Sequence, residues 1–567
     1  MAVLIEKNSG REPIRLPDTK TEGLPRIRWT VRRIVWVSAF VGVGLPLTWF
    51  LWGIFGWPAA ILISRETTWL TEPVAEDGYV DYLPFIKARH LPQGVAPTET
   101  DHWLQLHEGE RARERGDKVE LPANIVTYRD PAVAFSEAQL QAQEDGDAEA
   151  DNTNLTSEND ILPRLQMLPW MAEQHPVIAA TVYKNEAWYA DVVSSFTELS
   201  AVTYPTFSGN RDNESVGQIE LPSTSTNRIF APRFLLRAAL RFGSEQQLDA
   251  CRDVSFAYRM ANRDRLFIVS RLVGCIIESE ASRVLITGLL SSSELAPDTI
   301  HLVSELPTES TLPSLVELIN TQSRVMHLEM LQSMHRRPDL NSFIVSFPGR
   351  SGEMQELLAR RLRHGIDWNR ILEAENQYID SVVEAMSSNR FQQGFIRLES
   401  ISSVSDQPAV NNVTHREIWQ SCPSTDAVIK CLPSWHARQM GSTDLFEQVY
   451  VAATQRLLRR RVVQVVARLA VWKQHHGGFP ESLNDIASVP EFPVTSGEIF
   501  KDPFTDAKLV YRQTTDGFEL RSLGVNGAED NNPIGELQPN ILQRLLPVTD
   551  LDDLIWRWPL VEAAAEP

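Results

Sequence analysis

A 31-residue run without a charged side chain, from Ile34 to Ser64, is the feature that most constrains the fold of this 567-residue chain. An α-helix rises about 1.5 Å per residue and the hydrocarbon core of a bilayer is about 30 Å thick, so about 20 apolar residues cross it. We therefore predict a transmembrane helix over residues 34–63. Two alternatives remain open: a helix buried inside a folded domain, and a cleaved signal peptide, whose apolar part is usually only about 7–15 residues long.

The charges on either side of this run predict its orientation. Residues 1–33 carry eight Lys or Arg against four Asp or Glu, whereas the charged residues just after the run are mostly acidic. Because Lys and Arg concentrate on the cytoplasmic side, we expect residues 1–33 to form a basic cytoplasmic tail and the bulk of the chain to be extracytoplasmic. No second run is long and apolar enough to span, which predicts a single-pass protein of the cell membrane. The arginines that directly precede the run are Arg26, Arg28, Arg32 and Arg33.

The whole chain is acidic, with a formal net charge of −20 and a sequence pI of about 5.1. Binding to a phosphate backbone needs clustered Lys and Arg, so we predict no nucleic-acid partner. A second basic cluster lies in a helical pattern, where it could dock an acidic partner or form salt bridges with the chain's own carboxylates; we favour the salt bridges. Its members are Arg456, Arg459, Arg460, Arg461 and Arg468.

Hydrophobic spacing beyond the run predicts a mainly α fold. Leu235, Ala238, Ala239 and Phe242 recur at i, i+3, i+4 and i+7 before Gly243, and Ser244 is placed to cap the next helix. Successive hairpins of this kind indicate either an α-helical repeat domain or an irregular bundle. The predicted divisions are a membrane-proximal segment (64–140), an acidic linker (141–160), a helical domain (161–440), a long helix with a small α+β unit (441–535) and a C-terminal tail (536–567).

The α+β unit is predicted from three local signals. An amphipathic helix over about 445–478 stops at Gly477-Gly478, and LVYRQ and FELRSL flank Thr514–Gly517 as an antiparallel hairpin. We expect the hairpin and the short helix before it to pack on the long helix. The predicted apolar face consists of Phe479, Leu483, Phe504, Tyr511, Phe518 and Leu520.

Three blocks of this chain resemble known proteins. GGFPESLNDIA, KDPFTDAKLVYR and DGFELRSLGVNGAEDN resemble the C-terminal domain of type II secretion pseudopilins, in which a helix leads into a small antiparallel sheet. Together with TEPVAEDGYVDYLPFI and LPWMAEQHPVIAATVYKNEAWY, they also resemble an uncharacterised family of single-pass membrane-anchored proteins of planctomycete bacteria. The residues that match the pseudopilin pattern are Gly478, Phe479, Pro480, Leu483, Asp502, Pro503, Phe504, Tyr511, Phe518, Ser522, Gly524, Asn526 and Gly527.

The resemblance to pseudopilins implies a calcium site in the loop after the last strand, because carboxylate and amide oxygens suit this hard cation. The candidate ligands are Asn526, Glu529 and Asp530. A solvated turn without a cofactor is the alternative. In either case Gly524 and Gly527 are predicted to adopt a backbone conformation that a side chain would resist.

We predict no catalytic residues, since the sequence lacks GxSxG, HExxH, a P-loop and a GxGxxG motif after a strand. His327 and His335 are interpreted as surface histidines. Cys251 and Cys275 are predicted to be buried, and Cys422 and Cys431 to be either a disulfide or two thiols. The leading hypothesis is a membrane-tethered extracytoplasmic interaction or scaffold protein with protein partners. A component of a pilus-like or secretion assembly and an enzyme of unrecognised type remain as alternatives.

Overall fold

The computed structural model of the chain separates at Pro58 and Ala59 into two units, and its described residues lie in the second. Most of the predicted membrane helix, the tail before it, Cys422 and Cys431 lie outside them. No helix among the described residues combines the length and apolarity needed to cross a bilayer. The described residues are 60–82, 84–85, 128–144, 162–163, 165–198, 222–262, 268–306, 315–336, 367–403, 425–426, 429, 445–493, 497–528, 534–535 and 554–559.

The described part is mainly helical, with one small sheet near the C-terminus. The described helices differ in length: the longest has 32 residues, and Leu315–Leu318, a π-helical turn and Arg324–Arg336 continue as one helix. The helices are α1 (Pro131–Glu144), α2 (Pro176–Lys184), α3 (Glu186–Glu198), α4 (Pro222–Gly243), α5 (Gln247–Ala261), α6 (Ile268–Ser291), α7 (Pro297–Ser304), α8 (Leu315–Leu318), α9 (Arg324–Arg336), α10 (Trp368–Met386), α11 (Phe391–Ser403) and α12 (Leu445–His476).

Helices α4 and α5 form the predicted hairpin, and the apolar stripe of α4 is buried. The turn between them differs from the prediction. A Cβ on Gly243 would lie 2.0 Å from the carbonyl oxygen of Trp170, so close backbone packing requires glycine there. The prediction that Ser244 caps α5 is wrong. Its N–H donates to the Leu240 carbonyl and so closes α4, whereas Gln246 is the N-cap of α5.

Helix α6 lies against both α5 and α12, and a buried ion cluster joins the three helices. Glu278 of α6 accepts hydrogen bonds from Nε of Arg456 at 2.6 Å and Nη2 of Arg460 at 2.7 Å, both from α12. Asn262, the C-cap of α5, donates to the same carboxylate at 2.7 Å. The prediction of internal salt bridges for the second basic cluster is thus confirmed for these two arginines.

The α+β unit begins where α12 ends. Gly477 follows α12 with a φ of +74°, and a 3₁₀ turn over Asp485–Ser488 leads toward the sheet. The predicted hairpin is confirmed, because β1 and β2 pair antiparallel with Gln513 opposite Phe518. The strands are β1 (Val510–Gln513), β2 (Phe518–Ser522), β3 (Ile534–Gly535) and β4 (Leu554–Trp558), in the order β1-β2-β4-β3.

Strand β4 pairs antiparallel with β2 and parallel with β3. It lies in the segment assigned to a C-terminal tail, so the predicted end of the α+β unit at residue 535 is too early. The physical reason is burial, since Ile555 and Trp556 of β4 join the core of the sheet. Gly517 permits this addition, because a Cβ there would lie 1.6 Å from the carbonyl oxygen of Trp558.

The predicted apolar face of the α+β unit packs on α12. Phe479, Leu483, Phe504, Phe518 and Leu520 are buried in one cluster with apolar residues of α12, and Tyr511 is partly buried against it. The predicted burial of Cys251 and Cys275 is also confirmed, and both are free thiols. The acidic linker starts later than residue 141, because α1 continues to Glu144.

Candidate functional site

The loop proposed to hold calcium is described only up to Ala528. Gly524 and Gly527 have φ values of +59° and +65°, which confirms the predicted backbone conformation. Asn526 is exposed, and its Oδ1 accepts a hydrogen bond from the N–H of Ala528 at 2.8 Å. The other two candidate ligands, Glu529 and Asp530, lie outside the described residues.

A buried carboxylate, that of Asp502, contacts the residues that lead from β2 into this loop. Oδ2 of Asp502 accepts from the Ser522 hydroxyl and from the N–H of Leu523, both at 2.9 Å, and Oδ1 accepts from the N–H of Phe504 at 3.0 Å. These bonds tie the Asp-Pro-Phe turn to the end of β2. Within the described residues, no group of three or more His, Cys, Asp or Glu side chains is arranged to hold a metal ion.

The candidate functional site is the junction where the chain leaves the charge-free run. Residues Ala60–Tyr82, which we call the strap, lie along the groove between α9 and α10. Ile61, Val80 and Tyr82 of the strap pack there against apolar side chains of both helices. Ala60–Ile63 have no helical structure, so the predicted end of the membrane helix at residue 63 is too late.

Two asparagines of α10 hold the strap by hydrogen bonds to its backbone. Oδ1 of Asn369 accepts from the Leu62 N–H at 2.7 Å, and Nδ2 of Asn369 donates to the Ala60 carbonyl at 3.3 Å. Nδ2 of Asn376 donates to the carbonyls of Glu66 and Thr67, at 2.8 and 3.1 Å. An amide side chain offers both a donor and an acceptor, so each asparagine can bind an irregular backbone in the way a neighbouring strand would.

Helix α9 binds the strap through two polar contacts. The Tyr82 hydroxyl donates to the Thr68 carbonyl at 2.7 Å and accepts from Nε2 of Gln332 at 3.0 Å. The Tyr79 hydroxyl lies 2.6 Å from Nδ1 of His335. Burial raises the pKa of Tyr82 well above its usual range, with Glu329 adding to the effect, so this hydroxyl stays protonated and able to donate.

A buried arginine connects the two helices beneath the strap. Arg324, the first residue of α9, is 1% exposed and donates to Oδ1 of Asn376 at 3.0 Å and of Asp380 at 2.5 Å. Its guanidinium carbon lies 5.6 Å from the centre of the Trp69 ring. A π-helical turn, Ile319–Ser323, directly precedes it. Such turns shift the register of a helix and occur often at functional positions.

The two histidines of α9 are buried, so their interpretation as surface residues is wrong. Nδ1 of His327 lies 3.1 Å from Oε1 of Glu375, a contact between α9 and α10, and His335 packs edge-on against Trp368. The physical reason is their spacing: eight residues place both on the face of α9 that meets α10 and the strap. The His327–Glu375 contact therefore joins α9 to α10 in an enclosed position.

Sequence reasoning missed the residues that hold the strap. Asn369 and Asn376 are seven residues apart, so they lie on one face of α10, beside the apolar Leu372. That spacing is a usable signal, because asparagines on an otherwise apolar face must find hydrogen-bond partners when buried. Their partners, however, lie about 310 positions earlier in the chain.

The strap also contains a tight turn at Asp77-Gly78. Gly78 has a φ of +82°, and Val74 and Val80 form an antiparallel bridge around the turn. The site as a whole is therefore an attachment: side chains of two helices bind the first described segment of the chain, which contains the end of the charge-free run. Comparison with protein-family models, with curated proteins and with solved structures finds no match for this chain.

Proposed function

We propose that this protein is a membrane-tethered extracytoplasmic scaffold, whose helical body and α+β unit are held next to the membrane for protein–protein interaction. The observation that carries the proposal is the strap. The chain passes from a charge-free run into a segment that is folded onto α9 and α10, so the body begins within a few residues of the proposed membrane helix.

The buried ionisable groups support a scaffold. Glu278 accepts from two arginines and an asparagine. Asp253 of α5 accepts from Nε of Arg237 at 2.9 Å and Nη1 of Arg241 at 2.8 Å, both from α4. In each case the charged atoms join one helix to another, which is a structural use of charge.

Reporter fusions test the proposed location. A reporter that is active only outside the cytoplasm should work when fused after Pro567 and fail when fused near Arg11. The opposite pattern would overturn the orientation, and activity at neither or both positions would overturn single-pass anchoring. Replacing Arg26, Arg28, Arg32 and Arg33 by Gln should weaken the orientation, whereas replacing Lys7, Arg11, Arg15 and Lys20, which lie farther from the run, should weaken it less.

Cross-linking in intact membranes tests the scaffold role. The full-length protein should capture one or a few defined proteins, and capture should be lost when the body is present without residues 1–59. Recovery of the protein alone at every cross-linker length would contradict a role in protein–protein interaction.

A component of a pilus-like or secretion assembly is a second candidate, favoured by one observation. The 32-residue helix α12 is followed by a small α+β unit with an antiparallel hairpin that shares its apolar core, the arrangement that the resemblance to pseudopilins implies. Recovery of secretion proteins in the cross-linking experiment would favour this candidate over a general scaffold.

A further inference from the structure

We propose that the strap is a detachable link: it leaves the groove between α9 and α10 as one unit while the helical core and the α+β unit stay folded. Detachment would free 23 residues, Ala60–Tyr82, which extend to roughly 80 Å at about 3.3–3.6 Å per residue. The body would then be tethered at a distance from the membrane instead of being held against it.

The apolar packing of the strap supports separate detachment. Ile61, Val80 and Tyr82 belong to a cluster with residues of α9 and α10 that is distinct from the main core around α4, α5, α6 and α12. A segment that buries its side chains in a satellite cluster can leave without opening the main core. Two other apolar residues of the strap, Leu62 and Val74, are 63% and 46% exposed and add little to its attachment.

The polar contacts of the strap are of a kind that water replaces readily. Asn369 and Asn376 bind backbone groups of the strap by neutral hydrogen bonds, and Tyr82 binds Thr68 in the same way. The contacts that join α6 to α12 are charge-assisted and buried, which are about twice as strong as neutral hydrogen bonds. The strap is therefore held to α9 and α10 more weakly than α6 is held to α12.

Backbone strain favours release as well. Trp69, within the strap, has a φ of +60°, a conformation that bulky residues adopt only when their surroundings enforce it. Its ring lies against Arg324 and against Phe85, 5.6 Å from each. Once the strap leaves the groove, the contact with Arg324 ends and the backbone at Trp69 can relax.

The proposed role as an adjustable tether rests on the membrane anchor of the proposed function, but detachment itself does not. Hydrogen exchange tests detachment, and the reporter fusions test the anchor, so either can fail alone.

The experiment is hydrogen exchange of the full-length protein in lipid nanodiscs. The hydrogen-bonded amides of Leu62, Thr68, Ala75 and Asp81 should exchange at least about 100-fold faster than the central amides of α6 and α12, as expected for an opening below the global one. If strap and core amides exchange at the same rate, with the same denaturant dependence, the strap opens only with the whole fold and the proposal is overturned.

Asn376→Ala and Asn320→Ala form a matched pair of variants. Both asparagines accept a hydrogen bond from Arg324 through Oδ1, and Asn376 in addition donates to the strap. We expect Asn376→Ala to speed strap exchange about 10-fold or more and to leave α6 and α12 unchanged, with Asn320→Ala having little effect on the strap. Equal acceleration by both variants would overturn the proposal.

Tyr82→Phe serves if Asn376→Ala does not fold. It keeps the buried ring and removes the hydroxyl bonded to Thr68, so strap exchange should rise about fivefold without a change in the core. Acceleration of the core amides by the same factor would show that the strap is not a separate unit.

Discussion

Glu278 and Asp502 are buried to nearly the same extent, 2% and 1% exposed, but in opposite surroundings. Glu278 accepts hydrogen bonds from two arginines and Asn262, whereas Asp502 accepts from backbone N–H groups and a hydroxyl. Burial by itself raises the pKa of both. Arg456 and Arg460 outweigh it for Glu278 and hold its pKa at about 2, but neutral donors leave the pKa of Asp502 raised.

A buried carboxylate therefore joins secondary-structure elements strongly only when buried cations form hydrogen bonds with it. The Glu278 cluster holds three helices, α5, α6 and α12, through one carboxylate that two arginines and Asn262 share. Asp502 connects a turn to one strand by hydrogen bonds, and a neutral side chain of the same shape could still accept some of them.

The largest effect is expected for Glu278→Gln. The variant keeps the shape of the side chain but removes the negative charge that Arg456 and Arg460 share inside the protein, which should lower the free energy of unfolding by about 3–5 kcal/mol. Denaturant unfolding at pH 7 measures this. Asp249→Asn, which affects an exposed pair with Arg252, is the control and should change stability by less than about 0.5 kcal/mol. A loss below about 1 kcal/mol for Glu278→Gln would contradict the contrast.

The pH dependence of stability should show the same carboxylate. The folded-state pKa of Glu278 is lowered from 4.5 to about 2, so its contribution is fully present above pH 4.5 and is lost as the pH falls toward 2. The decline attributable to Glu278 should be about 3 kcal/mol. Unfolding measured from pH 5 to pH 2 should therefore be flatter in Glu278→Gln than in the unaltered protein. Parallel profiles would show that Glu278 is not the group responsible.

Asp502→Asn should be milder than Glu278→Gln. The amide oxygen can still accept one or two of the three hydrogen bonds, and the neutral side chain no longer carries the cost of a buried charge, so we expect a loss of about 1–2 kcal/mol. Because the pKa of Asp502 is raised, its ionised form opposes folding at neutral pH and this penalty is relieved in acid. Asp516→Asn, at an exposed position of the hairpin turn, is the matched control. A loss as large as that of Glu278→Gln would remove the distinction between charged and neutral donors.

The smallest effect is expected from calcium. The described part of the loop after β2 is shaped by the backbone of Gly524 and Gly527 and by the hydrogen bond from the Ala528 N–H to Asn526, so we expect calcium to add little. The melting temperature of the full chain should be equal with calcium and with chelator. A calcium-dependent rise that Asp530→Ala abolishes and Asp516→Ala preserves would instead establish the site implied by the resemblance to pseudopilins.

Local patterns predicted much of the fold. The stripe on α4, the end of α12 at Gly477 and the pairing of β1 with β2 each depend on residues within a few positions of one another, so spacing and turn chemistry were sufficient. Strand β4 was missed because only five residues pair, and their partner β2 lies more than 30 positions away. The candidate site was missed for a related reason: Asn369 and Asn376 have a detectable spacing, but no local pattern identifies their partners.

The charge-free run and the asymmetry of charge around it follow from composition alone. The helical character of the chain follows from the period of its apolar residues. The positions with a positive φ follow from the backbone freedom of single glycines. The tertiary structure was needed to identify which of the 54 Lys and Arg residues contact Glu278, and where the strap lies. It also showed that Gly243 and Gly517 must lack a side chain because another backbone approaches each of them closely. These depend on contacts between residues up to about 310 positions apart, and such contacts are set by how whole elements pack.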